Sequence, residues 1–260
     1  MTIRMAHSVG LAIVAAGLCV PEVLGQRAQP SSSPLDARDI SGFWELPVDG
    51  QSVPAATLAP GVTKAVLDDQ AKKDAHAIRW CNFLGMPFVM SAPRPLDVRQ
   101  GTREIIIHTE VNATPRHLYL NRTTHINADE LDPTTNGDSM ARWEGDLLVV
   151  DTIGLAADKG VTAIPGGGFR TANTHLVERY RLLKDGAVLS VTFTWEDPTV
   201  FQTPHSYEFR YQRLSKDYEP RPRLPCDPFD EERTKFLTQT AQAIPRSTTR
   251  QPGALSGRRG

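Results

Sequence analysis

Residues 174–195, THLVERYRLLKDGAVLSVTFTW, consist of two alternating runs that meet at Asp185-Gly186. An Asp-Gly pair between such runs is a type I′ hairpin signal, because both central positions of that turn need positive φ. The turn fixes register: residues whose numbers sum to 371 face each other. One face then carries Leu176 opposite Trp195, Glu178 opposite Phe193, Tyr180 opposite Val191 and Leu182 opposite Leu189. The other carries His175 opposite Glu196, Val177 opposite Thr194, Arg179 opposite Thr192 and Arg181 opposite Ser190. The first face is the apolar one and is expected to be buried.

Period-two alternation extends outward from this hairpin, with strands expected over 96–100, 103–110, 117–121, 139–143, 147–152, 174–184, 187–195 and 205–214. Successive antiparallel strands with short turns favour closure, which removes unpaired edges. The expected fold is all-β, a lipocalin-like antiparallel up-and-down barrel with flanking short helices. A helix is expected within 58–80, starting around Pro60, and another over 230–243. A second tight turn lies at Glu144-Gly145-Asp146, with two possible registers. A Glu144-Gly145 loop sets Asp138 opposite Asp151; a Gly145-Asp146 loop sets Asp151 opposite Met140. The long 153–173 connection, with Gly166-Gly167-Gly168, reads as a lid or binding loop.

The N-terminal 25 residues have the form of a cleavable secretory signal: a basic residue at Arg4, an apolar run over 9–20, and Gly25 as the small residue before the cut. That run is shorter than the ~20 residues a membrane span needs. Leu18 before Cys19 is a poor lipid-attachment signal, so Cys19 is expected to be discarded. Segment 26–39 reads as a disordered leader, 40–244 as one barrel domain and 245–260 as a disordered tail. The expected location is periplasmic or secreted, without membrane insertion. In that oxidising setting Cys81 and Cys226 are expected to form a disulfide. A net charge of −1 with dispersed signs argues against nucleic acid as partner. No zinc, serine-hydrolase, dinucleotide or haem motif occurs, and neither a metal nor a cofactor is expected.

The block from Asn136 to Thr152, NGDSMARWEGDLLVVDT, resembles the "GHSxGxWEGDTLVVDT" block of a set of secreted proteins from environmental bacteria. Supporting stretches are Cys81 with Pro87, 116–119, His175 with 178–180, and Asp197-Pro198. The resemblance covers most of 40–226 and implies compartment and architecture; it carries no activity. This chain has Asp138 where the block has His.

Glu178 is the anomaly of the apolar face. Burial would raise the pKa of an unpaired carboxylate there and suit it to proton transfer, whereas pairing with Arg116 or Arg210 would make it a tether of the wall. Tyr207 and His205, on one face of the last strand with Phe209 and Tyr211, are candidate partners in acid/base chemistry. Asp138 and Asp151 form a further candidate pair in the first register. Arg116, Tyr119, Tyr180, Phe193 and Trp195 are candidate ligand-binding residues, and His175 with Glu196 reads as a solvated cross-strand pair. Three functions fit. The first is a cofactor-free enzyme for elimination, isomerisation, cyclisation or hydration. The second is a carrier of an apolar or aromatic small molecule, and the third an envelope interaction protein with a packed barrel.

Overall fold

The computed structural model describes residues 36, 38–49, 51–80, 85–92, 94–110 and 114–220. Cys81, Cys226, the signal segment and the expected 230–243 helix lie outside them.

Among the described residues nine strands close into a barrel in sequence order. They are β1 (Gly42–Glu45), β2 (Leu96–Gln100), β3 (Glu104–Thr109), β4 (Arg116–Tyr119), β5 (Asp138–Glu144), β6 (Leu147–Ile153), β7 (His175–Leu183), β8 (Val188–Glu196) and β9 (His205–Arg213). The eight expected strands are present within a residue or two of their expected ends. β1, too short to show alternation, is an addition, and its pairs with β2 and β9 close the ring. Arg213 fastens that seam: its guanidinium lies 4.0 Å from the centre of the Trp44 ring and donates to the carbonyls of Ser41 and Gly186, each at 2.6 Å.

The β7–β8 register is the expected one, with Glu178 opposite Phe193. Lys184, Asp185 and Gly186 all have positive φ, at 51°, 52° and 84°, one residue more than the expected two-residue loop requires, and the ladder ends at Leu183 with Val188, so the connection spans 184–187 while the register is kept. The β5–β6 register is the second of the two alternatives: Asp151 faces Met140 and Asp138 faces Ile153, so the two aspartates are not cross-strand partners. Gly145, with φ of 66°, sits in the turn.

One pairing departs from the up-and-down pattern. β4 and β5 run parallel, with Leu118 beside Ser139 and Tyr119 beside Met140. Parallel neighbours need a crossover of a dozen or more residues rather than a hairpin, and the 120–137 segment supplies it. The expected antiparallel order therefore breaks once, where sequence offers a long polar connection in place of a turn.

Helix α1 (Lys64–Arg79) starts later than expected because Thr63 is its N-cap, accepting from Val66 N at 3.4 Å, and Pro60-Gly61 lies in the preceding turn. Buried Asp74 anchors it to the long connection by accepting from the backbone of Thr162 and Ala163, both at 3.0 Å. A short helix not anticipated from the sequence, α2 (Phe88–Ser91), is buried throughout, and the Tyr211 hydroxyl donates to its Met90 carbonyl. The 154–173 connection covers the barrel end at β9. Ala56 N donates to Gly166 O at 3.0 Å, and a Cβ on Gly166 would lie 2.3 Å from Pro54 O, so only glycine allows that approach.

Inward residues form one apolar cluster with α2, including Trp44, Ile105, Ile107, Leu176, Val191, Phe193, Trp195, Phe209 and Tyr211. Truncating Phe193, which has no solvent exposure, to alanine should cost about 3–5 kcal/mol in urea unfolding. Thr192→Ala on the outer face should stay within about 1 kcal/mol.

Candidate functional site

Period two gives the wall two chemically different faces. Inside, β4 contributes Arg116, β5 Ser139, β6 Thr152 and β7 Glu178 and Tyr180, all of them buried. Arg116 Nη1 donates to Glu178 Oε1 at 2.8 Å and its Nη2 donates to Oε2, so the pair is bidentate. Tyr180 donates its hydroxyl to Glu178 Oε1 at 2.8 Å, and Arg116 Nη2 also reaches Thr152 Oγ1 at 3.2 Å. Burial works to lower the pKa of Arg116, but the adjoining Glu178 and Tyr180 outweigh it and hold the guanidinium firmly protonated. Burial, and then Glu178, push the Tyr180 phenol well above its usual range. The Arg116 Nε has no hydrogen-bond partner although it is fully enclosed.

Beside this polar cluster stands an aromatic wall. Phe193 stacks on Tyr207 at 5.1 Å between ring centres, and Phe209 meets Phe193 edge-on at 5.6 Å. Tyr207 accepts from Trp195 Nε1 at 3.1 Å, and burial raises its pKa. His205 Nε2 donates to the Pro165 carbonyl at 2.7 Å, and burial lowers its pKa, which keeps the imidazole neutral at pH 7. Of the candidates, Arg116, Glu178 and Tyr180 are bonded together, and Phe193, Trp195, Tyr207 and His205 line the same interior.

The remaining candidates lie outside. Tyr119 points outward, stacked with His117, with the Arg122 guanidinium 3.6 Å from its ring centre. Asp138 and Asp151 are brought near each other by a residue the sequence reading passed over: His125 Nδ1 lies 2.9 Å from Asp138 Oδ2 and its Nε2 lies 2.8 Å from Asp151 Oδ1. Arg122 also donates to Asp138, at 2.6 Å. Beyond Asp151 the chain of contacts continues to His175 Nε2 at 3.1 Å, whose Nδ1 is 3.1 Å from Glu196 Oε2. The His175–Glu196 pair is thus cross-strand, as expected, and extends into a clamp that holds the crossover on the barrel wall. Arg122 and His125 carry no sequence signal beyond their place in a polar connection without periodicity. Among the described residues no group of three or more His, Cys, Asp or Glu is arranged to hold a metal ion, and no helix is long and apolar enough to cross a membrane.

No family model and no curated protein matches the chain. Among solved structures, it is similar to the fatty acid transporter REP1-NXSQ at 12% identity, covering 69% of this chain and 98% of that one with a TM-score of 0.35. It is also similar to a Schistosoma mansoni fatty acid binding protein in complex with arachidonic acid, at 10% identity over 70% and 100% of the two chains, TM-score 0.35. A third is secretory abundant heat soluble protein 4 from Ramazzottius varieornatus, at 10% identity over 68% and 96%, TM-score 0.33. Likeness at this level carries neither ligand nor activity across.

The clamp predicts a pH dependence. Burial acts to lower the pKa of His175, but hydrogen bonds to Glu196 and Asp151 and their charges raise it on balance. Its stabilisation is therefore fully present below about pH 6.5, the ordinary histidine value, and is lost as pH rises through the raised value. Asp151 is lowered: burial opposes ionisation, but His125 and His175 prevail. Its stabilisation is present above about pH 3.8 and fades as pH falls through the lowered value. The melting-temperature advantage over His175→Gln should be largest near pH 5–6 and shrink toward pH 9. For groups this accessible it should amount to under about 1 kcal/mol.

Proposed function

We propose that the chain is a small-molecule binding protein that holds a largely apolar molecule with one polar end inside its barrel. The observation that carries this reading is Arg116 Nε, a fully buried donor left unpartnered beside an aromatic wall. Buried donors without an acceptor cost about 1–3 kcal/mol, and a ligand oxygen would remove that cost. The α2 side chains Phe88, Val89 and Met90 fill interior space with apolar volume. Withdrawal of this four-residue helix would vacate room for a ligand of similar character next to Tyr211.

A role for Glu178 as catalytic base draws less support. The carboxylate already accepts two guanidinium hydrogens and a phenol hydrogen, and a base so engaged must first give up a charge-assisted pair. Export is part of the same proposal: a precursor with a cleavable signal ending at Gly25, acting in the periplasm or outside the cell, with Cys81 joined to Cys226.

Titration with the neutral apolar dye Nile red, together with native mass spectrometry of gently purified protein, tests the binding reading. Saturable one-to-one dye binding at about micromolar Kd, displaced by whatever molecule co-purifies, is the expected result. A folded protein that neither retains a molecule nor binds the dye saturably would instead be a barrel packed for structural purposes. For the pair itself, Arg116→Met should cost about 3–5 kcal/mol in urea unfolding, and adding Glu178→Leu should recover most of that loss.

A further inference from the structure

The charge balance inside the barrel goes further than binding as such, and the inference rests on the binding reading above. We propose that the ligand's polar end is an uncharged hydrogen-bond acceptor, such as an alcohol, carbonyl or ether oxygen, and that the Arg116–Glu178 pair excludes carboxylates and ammonium groups. Arg116 is the cation of the inner cluster and Glu178 its anion; they meet in a two-pronged ion pair with neither side chain exposed. Tyr180, Ser139 and Thr152 complete the cluster with hydroxyls. The positive charge is therefore already compensated, and what remains to offer is one N–H, on Nε.

A carboxylate placed against that N–H would bring a second anion beside Glu178 with no second cation to meet it, and would lose its water shell as well. An ammonium group would be set against the guanidinium. Either charge is buried without a partner, which costs far more than the single hydrogen bond returns. A neutral oxygen accepts the same hydrogen and leaves its hydrocarbon body against Phe193, Tyr207 and Phe209.

The test uses the full chain with a matched set of probes sharing one long alkyl chain and ending in a hydroxyl, a carboxylate or an ammonium. Binding is followed through tryptophan fluorescence and calorimetry at pH 7. The alcohol is expected to bind at least about tenfold more tightly than either ion. In Glu178→Gln, which leaves Arg116 uncompensated, the carboxylate should become the preferred probe. Should that variant fail to fold, Arg116→Leu with Glu178→Leu removes both charges together, and the margin of the alcohol over the corresponding alkane should then fall to what the Tyr180, Ser139 and Thr152 hydroxyls alone can offer. A native chain that binds the carboxylate as well as the alcohol, or better, overturns the inference while leaving the binding reading intact. Binding of no probe, with Nile red also failing, overturns both.

Discussion

Two opposite charges taken wholly out of water stay there only in each other's company, and Arg116 with Glu178 meets that condition on the inside of this barrel. The pair spans β4 and β7, while Ser139 of β5 and Thr152 of β6 reach the same guanidinium. Four consecutive strands are thus gathered on one side chain. These strands flank the parallel β4–β5 junction, which the register holds at only two residue pairs. Removal of either charge would strand the other in the interior, so one of the two shortest ladders of the sheet is spanned by a contact that is costly to break.

Strand pleating repeats the arrangement on the outer face. Asp138 lies next to Ser139 and Asp151 next to Thr152, so on β5 and β6 an outward contact sits one step along the chain from an inward one, and on β7 His175 and Glu178 face opposite sides three residues apart. The outward set, joined through His125, ties the crossover to β5, β6, β7 and β8. The two networks differ in exposure and hence in strength. The inner pair sits at zero exposure, whereas the side chains of His125, Asp151 and His175 are 17%, 30% and 33% exposed and are screened by water and salt. The outer one can respond to pH through His175 and Asp151.

What could be read from the sequence follows from how local each signal is. The Asp185-Gly186 turn sets a nine-pair ladder by itself, and from it came the inward position of Glu178 and its neighbours, together with an arginine pairing that Arg116 supplies. The Glu144-Gly145-Asp146 turn was ambiguous because either two-residue loop preserves alternation; only pairing with β7 and the rest of the barrel decides between them. β1 was missed because four residues show too little of a period, and α2 because a short buried apolar run has none. Tyr119, a ligand-binding candidate beside Arg116, lies on the opposite face because three residues along a strand reverse the side. His125 was invisible for a related reason. Its contacts are with residues 13 and 26 positions away, reached by a crossover whose path no periodicity describes.

A barrel selected for stability alone has no need of the inner cluster. Replacing a buried ion pair by well-fitted apolar side chains is often neutral or favourable, and this interior already supplies the surroundings for that in Phe193, Val150, Leu176 and Leu118. Retaining two charges, a phenol and two hydroxyls in that space keeps a costly donor, Arg116 Nε, without a protein acceptor. A jointly repacked apolar wall could therefore be as stable, although loss of either charge alone would be costly. Under the binding proposal the pair would add directionality and a charge rule: one enclosed, unpartnered N–H in a charge-balanced cluster. Discrimination of that kind is strong because a mismatched partner leaves buried polar groups unpaired, whereas an apolar pocket separates ligands only by size. Under that proposal the residues that bind the strands together take a second role, restricting what the interior can accept.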